Sequence, residues 1–585
     1  MGSPPIDLIR LEVLKNALLA ITDEMAAALQ RSAYSTNIKT RGDFSCALFD
    51  TNVRLVAQSF SQPTHLGSLV HSTPRAIAEF GAARLENGDA ILMNDPHRGA
   101  VHLNDISLIS PVDLDGQRIG YVANVAHHVD VGGSTPGSLG LNSETYQEGL
   151  ILPPLRLVRK GVVDEDITRL IAANIRAPHE TLGDFRAQVA SNQLAARRLS
   201  ELGQDVGSAE LARYTEALLD YTARRVVADI ARFPVGTYSA TDQLDDDGFG
   251  NEAVTIAVTV RIGAGGIEFD LSGSDDQGRG PMNATSSMSY SGIAFVLKCL
   301  LDPDIPVNDG FYRTIRTIFR PGSVVSALHP AAVVGGWEVC FRVAEAALRA
   351  LAPAFPDKIP AATKGIICNV AFGGRDPFTD RYYAFYETIA GGFGGRSSKD
   401  GMDGVQPHIH NTENSPVEET ELNYPVRIAR LSLIEDSGGA GRYRGGLGVR
   451  RDYWFERHAA TFSIISDRAR FAPWGLAGGG SGRPAHYVVD PDGEHPVELR
   501  SKATVRLEPG HVMSIQTPGG GGHGDPLDRE SAAVCRDVLA GKVSAERGRA
   551  DYGVVLDPAG EVDSTATRRL RAVMRRKRAA TATPA

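Results

Sequence analysis

The sequence predicts a multidomain α+β protein in which mixed sheets carry a helical hairpin insert and give way to a β-rich C-terminal region. Three observations carry that prediction. Apolar residues recur every three or four positions over 7–33 and again over 180–233, which marks amphipathic helices. Short runs of β-branched and aromatic residues, bounded by Gly, Asn and Asp, recur through 43–133, through 252–277 and beyond 427, which marks strands. A chain of 585 residues exceeds what one core holds. The expected units are 1–179, an α+β domain carrying the candidate metal residues, and 180–233, the helical hairpin. They are followed by 234–430, a central α+β domain with a Gly-rich loop, and 431–585, β-rich with short helices and a basic tail.

The first helix is set by Leu11, Leu14, Leu18, Ile21, Met25 and Leu29, one buried stripe, with Pro4, Pro5 and Asp7 at its boundary. DFSCALFD and the return at 53–57 flank a turn, Asp50-Thr51-Asn52, and read as a β-hairpin. His65 and His71 follow without an obvious partner. Over 180–233, Phe185, Val189, Leu194, Leu199 and Leu202 mark one helix and Leu211, Leu218, Leu219 and Val226 a second. Such a hairpin either separates domains or forms a subunit contact.

EAVTIAVTVRI and GIEFDLSGSDDQ read as paired strands, and TDQLDDDGFG over 241–250 as a solvated acidic loop, since it lacks the Glu that closes a calcium loop. Residues 291–300 and 339–351 read as buried helices. The stretch 387–425 is a long polar loop expected to cover a substrate pocket or an interface. Its Gly391-Gly392 and Gly394-Gly395 allow either close approach to a ligand or a sharp turn. No Gly-Lys-Ser/Thr ending makes it a P-loop. His408 and His410 are expected on one face of a strand. Short helices are expected at 531–539 and 545–550, and the basic run RRLRAVMRRKR over 568–578 as a solvated, mobile tail.

Composition narrows the function classes. Charged residues make up 22% and hydrophobic residues 42%, as in ordinary globular proteins, and the net charge of −9 disfavours a nucleic-acid surface. No run of about 20 apolar residues offers a membrane span, so a cytoplasmic location is expected. Cys46, Cys299, Cys340, Cys368 and Cys535 form no C-x-x-C pair, which argues against a disulfide framework or a thiolate zinc site. Cys340, beside Glu338, is the one thiol kept as a possible nucleophile.

The densest chemistry lies between Asn94 and Gly133. NDPHRGAVHLNDISL and IGYVANVAHHVDVGG bring His97, His102, Asp105, His127, His128 and Asp130 into two adjacent strand-like runs. Side chains alternate along a strand, so His127 and His128 cannot enter one site. If the runs pair, one imidazole and one carboxylate from the first, where His102 and Asp105 stand three apart, and one imidazole from the second converge on a single ion, a set that leaves coordination positions open, as catalytic centres do. Asp43, just before the hairpin, either joins them or caps a turn. The competing reading is of hydrogen-bonded histidines without a metal.

The runs DFSCALFD, NDPHRGAVHLNDISL, HHVDVGG, YQEGLILPP, GGFGGR through NSPVEETELNYP, TPGGGGHGDPL and YGVVL, in this order across nearly the whole chain, resemble the hydantoinase B/oxoprolinase family. That family includes B-type subunits of ATP-dependent hydantoinases and lactamases, the corresponding half of 5-oxoprolinases, and subunits of ATP-dependent ketone carboxylases. The resemblance implies an A-type partner that holds ATP and Mg and phosphorylates a cyclic amide or a ketone. This chain would receive the activated species, in a hetero-oligomer with no role for nucleic acid or membrane.

It further implies a divalent metal (Zn, Mn or Fe) on His102, Asp105 and His127, with Asp43 as fourth ligand. Acid–base candidates are His128, Asp130, His97 and Glu148. Substrate-binding candidates are Trp337, Cys340, Gly391 and Gly392. The resemblance has one departure: many relatives carry Asn and Thr or Ser where this chain has Trp337 and Cys340, which suits a bulkier or less polar substrate if both line the pocket. Two rival readings stay open, a subunit of a bicarbonate-dependent ketone carboxylase and a non-catalytic scaffold for the A-type subunit.

Overall fold

The computed structural model describes residues 5–59 and 62–581; Pro4 of the expected first boundary lies outside them. The N-terminal part is built on a seven-stranded sheet. Its order is Leu55–Gln58, Phe44–Phe49, Gln117–His127, Asp105–Leu114, Ala90–Met93, Leu155–Arg159, Val162–Val163. Alternation sorts its side chains between two cores. Cys46, Leu48, Val122 and Ala126 face the helix Leu8–Ser32, whose Leu18, Ile21, Met25 and Leu29 cover them. Ala47, Phe49, Tyr121, Ala123 and Val125 face the other way, into the main core with Leu69 and Ile77 of the helix Pro63–Phe80.

The predicted helical pair is present as Pro178–Val206 and Ser208–Ile230. The first of these is stitched to the sheet it covers: Gln188 Nε2 donates to Ile106 O at 2.9 Å and Asn192 Nδ2 to Leu108 O at 3.2 Å. A central four-stranded sheet, Arg316–Ile318, Gly266–Asp270, Val254–Gly263, Gly236–Leu244, packs against the helix Gly336–Leu351. The expected acidic loop is corrected here. Residues 241–244 belong to a strand, and Asp245 is buried, accepting from Ala469 N at 2.8 Å and Arg470 N at 2.9 Å. The aspartates stop loop amides rather than face water.

Two antiparallel sheets form the C-terminal part, one ordered Tyr382–Thr388, Asn369–Arg375, Ala460–Ile465, Lys502–Leu507. The other is ordered Arg427–Leu433, Val449–Trp454, Val512–Gln516, His486–Val489, Val497–Leu499. Phe372, Phe385, Tyr453, Phe462 and Ile515 fill the core between them. Helices Ser531–Leu539 and Ala545–Tyr552 follow. The basic run is exposed over most of its side chains, as expected of a solvated segment, but it is ordered as a helix. It lies in the helix Ser564–Thr581, docked through Arg571 to Tyr552 O at 2.9 Å and through Arg575 to Asp528 at 2.8 Å. Among the described residues no helix is long and apolar enough to cross a membrane.

The glycine runs mesh with one another. Gly392 N donates to Pro518 O, Gly395 N to Gly521 O, Gly446 N to Phe393 O and Gly520 N to Gly446 O, at 2.8–3.0 Å. Backbones approach so closely that a Cβ on Gly446 would stand 1.8 Å from Met402 O. Neither chain can give way without breaking that ladder, so Gly446→Ala is expected to destabilise by about 4 kcal/mol or more. A denaturant midpoint close to wild type would contradict this.

Candidate metal centre

Asp105 opens its strand, and His127 closes the next; the antiparallel register sets them directly opposite each other. Side chains of such a pair share a face, here the one looking into the main core. His127 Nδ1 and Asp105 Oδ1 are 3.1 Å apart. The turn before the strand, closed by Asp105 N donating to His102 O at 3.0 Å, brings His102 Nε2 to 3.1 Å from Asp105 Oδ2. A ligand atom from each of these residues lies within 4.8 Å of the others.

A third imidazole joins them. His65, in the first turn of the helix Pro63–Phe80, holds Nε2 3.4 Å from Asp105 Oδ2 and 3.9 Å from Asp43 Oδ1. Asp43 itself accepts from Gln62 Nε2 at 2.6 Å. Tyr386 stacks on His127, centroids 4.2 Å apart, and gives its hydroxyl to Asn369 at 2.6 Å. Trp337 turns its ring edge-on to His65, His102 and His410 at 5.7, 6.3 and 5.8 Å.

His65, His102, Asp105 and His127 are all buried, and His65 Nε2, both nitrogens of His102, Asp105 Oδ2 and His127 Nε2 have no hydrogen-bond partner. Each such atom costs on the order of 1–3 kcal/mol when left dry. A divalent cation fits the set formed by His102, Asp105 and His127, since it would satisfy one orphaned atom of each together. The electrostatics agree. Burial alone would raise the Asp105 carboxyl, but the neighbouring His102 and His65 hold it well below the usual range. Burial pulls His127 down, leaving a neutral ring with a free lone pair. It also pulls on His65, where the charge of Asp105 outweighs it and the net shift is upward.

The four acid–base candidates lie away from this convergence. His128 falls on the opposite face, as the alternation requires, and its Nε2 meets Gln188 Oε1 at 3.0 Å. Asp130 is consumed by Gly132 N, Gly137 N and Arg176. His97 Nε2 meets Thr145 Oγ1 at 3.1 Å and Ala331 O at 3.2 Å.

Glu148 accepts from Val333 N and Val334 N at 2.8 and 2.7 Å, and burial pushes its carboxyl up to about 8. A carboxyl raised on folding contributes stability at low pH that is lost as pH rises toward 8. Glu148→Gln keeps both amide bonds and has no charge to bury. The variant should therefore gain on wild type by on the order of 1 kcal/mol per pH unit above pH 5. Parallel stability curves from pH 5 to 8 would refute this.

Of the substrate-binding candidates only Trp337 touches the cluster. Cys340 Sγ donates to Met288 O at 3.1 Å and burial pushes the thiol up to about 12, so it is no nucleophile at neutral pH. Gly391 and Gly392 are packed against Lys364, Pro518, Gly446 and Gly520 in the glycine mesh. His408 and His410 share no strand face: His408 has φ 58° and pairs with Glu345 at 3.1 Å, while His410 bonds Thr412 and faces Trp337. Sequence reasoning missed His65 and Tyr386, which lie far from the central stretch in the chain and carried no spacing signal.

The fold has close counterparts. The crystal structure of the ATP-dependent caprolactamase from Pseudomonas jessenii superposes with a TM-score of 0.91 at 29% identity, covering 97% of this chain and 100% of that one. An acetone carboxylase structure superposes at 0.89 with 21% identity, a likeness of fold alone. In sequence, the chain is 39% identical to an uncharacterized protein of Methanocaldococcus jannaschii over 97% of this chain and 100% of that protein. It is 31% identical to the caprolactamase subunit beta of Pseudomonas jessenii, over 97% and 99%. It is 33% identical to 5-oxoprolinase 1 of Arabidopsis thaliana over 89% of this chain but 42% of that protein. The hydantoinase B/oxoprolinase model matches residues 7–526, and the chain belongs to that family.

Proposed function

We propose that this chain is the B-type subunit of an ATP-dependent cyclic-amide hydrolase. The carrying observation is the buried convergence of unpartnered donors on His102, Asp105 and His127. The caprolactamase relative, named as a subunit beta and matched over its full length, supports both the reaction class and the need for a partner. The partner is an A-type subunit that uses ATP and Mg to phosphorylate the amide carbonyl oxygen, in the cytoplasm where ATP is supplied.

Asp105, His102 and His127 would hold the divalent ion, Zn, Mn or Fe, with Asp43 adding a second carboxylate. The ion, when bound, supplies Lewis-acid activation of water and of a carbonyl. Asp105 keeps the His127 imidazole oriented through Oδ1, 3.1 Å from Nδ1. Trp337 and Tyr386 exclude bulk water and offer flat apolar walls to a ring. The loop 389–416, through His410 against Trp337 at 5.8 Å, covers the same side of the site.

Elemental analysis of the purified chain tests the reading, with about one ion per chain expected and loss of it in His102→Ala and His127→Ala. Metal surviving both changes would refute the site. With the partner added, ATP turnover that strictly requires bicarbonate would point to ketone carboxylation instead. Loss of assembly, with no metal in wild type, would point to a scaffold.

A further inference from the structure

The geometry points to His65 as a substrate-facing catalytic residue, whose Nε2 binds an oxygen of the activated substrate or of its departing phosphate beside the metal centre. The inference rests on the metal centre proposed above and adds a group that the ligand set does not include. Nε2 of His65 is fully buried and has no hydrogen-bond partner. It stands 3.4 Å from Asp105 Oδ2 and 3.9 Å from Asp43 Oδ1, within ion-pair reach of both but bonded to neither. It also falls outside the group formed by His102, Asp105 and His127, whose ligand atoms lie within 4.8 Å of one another. A nitrogen that borders a cation site without joining it faces what enters the open coordination positions.

The ring is prepared for that contact. Ser45 Oγ stands 3.5 Å from Nδ1 and occupies that side of the ring, which leaves Nε2 as the nitrogen that looks inward. Trp337 meets the ring edge-on at 5.7 Å and limits its rotation. The helix Pro63–Phe80 fixes its backbone, with Leu66 N donating to Gln62 O at 3.1 Å. A fixed donor aimed at an oxygen in a dry site is a strong source of rate, about 10²–10³-fold where one has been removed from other enzymes. His128 and Asp130, bonded on the other side of the sheet, leave that place to His65.

The test uses the full chain loaded with cobalt, titrated with inorganic phosphate and followed by visible absorption, in wild type, His65→Ala and His65→Gln. Glutamine can place an amide N–H where Nε2 stands. All three should hold cobalt equally. Phosphate should change the wild-type spectrum, bind about tenfold or more weakly to His65→Ala, and recover to within about threefold in His65→Gln. With the A-type partner, His65→Ala should lose about 10²-fold in kcat and His65→Gln part of that. Cobalt lost in His65→Ala would make His65 a ligand and overturn the inference. Phosphate that binds alike in all three, or not at all in wild type, overturns it too. A wild-type chain that takes up no cobalt overturns the metal centre itself, and the two failures are thereby distinguished.

Discussion

Asp105→Asn is expected to strip the chain of its metal and to abolish ATP-coupled ring hydrolysis. Asp105 is the one anion in direct reach of His65, His102 and His127, at 3.4, 3.1 and 3.1 Å. Without its charge the cation keeps only the Asp43 carboxylate beside the imidazoles, and an amide nitrogen would turn a donor toward the ion. Metal affinity should fall by more than about 100-fold, the loss that changes behind the ligands alone can reach. Turnover should fall by at least about 10³-fold, since the ion lowers the barrier by several kcal/mol. The variant differs by one isosteric atom, so it should still fold.

A chelator provides the control. Metal removal should lower the unfolding midpoint of wild type, by about 2.7 kcal/mol of stability where the ion stands at 100 times its dissociation constant. The same chelator should leave Asp105→Asn unmoved. Elemental analysis and a chelator-dependent melting curve decide the matter, and metal retained at wild-type level in the variant would refute the assignment of Asp105.

Asp467→Ala should produce a large loss of stability away from the centre, about 3–5 kcal/mol. Its carboxylate accepts from Arg342 Nη2 at 2.8 Å, Lys502 Nζ at 2.6 Å and Asp245 N at 2.8 Å. All the charged groups are buried, so removing the anion leaves two buried cations without their shared carboxylate, Arg342 bonded only to the carbonyls of Gln243 and Gly365 and Lys502 to Ser501. The network joins the helix Gly336–Leu351, which carries Trp337, to the strand Lys502–Leu507 and to the turn at Asp245. Burial alone would raise the carboxyl, but Lys502 and Arg342 hold it far below the usual range. A carboxyl lowered on folding stabilises at neutral pH, and that contribution is lost as pH falls below about 4. The variant should therefore unfold at lower denaturant at pH 7 and approach wild type on acidification. Equal denaturant midpoints at pH 7 would show that the cations find other partners.

Both predictions turn on the difference between local and distant information. His102, Asp105 and His127 were legible because a turn and two paired strands, adjacent in the chain, bring them together, and strand alternation alone separates His127 from His128. The helix Leu8–Ser32 and the pair Pro178–Val206 and Ser208–Ile230 were legible for the same reason, since their periodicity lies within each segment. The docking of Arg571 was not legible because the carbonyls that receive it, at Tyr552 and Arg529, belong to other elements.

What the sequence by itself determined was the strand pairing that brings His102, Asp105 and His127 together and, through motif order, the family. Only the tertiary structure decided what surrounds them. His65 arrives from a helix, Trp337 from the start of another and Tyr386 from a strand of the C-terminal part. It also turned Gly391 and Gly392 from ligand contacts into backbone packing and Asp245 from a solvated residue into a buried acceptor. The physical reason is common to all of these. Spacing along a chain encodes contacts made within one turn or one strand pair, whereas burial, and the partner that a buried polar atom finds or lacks, depends on every segment that closes over it.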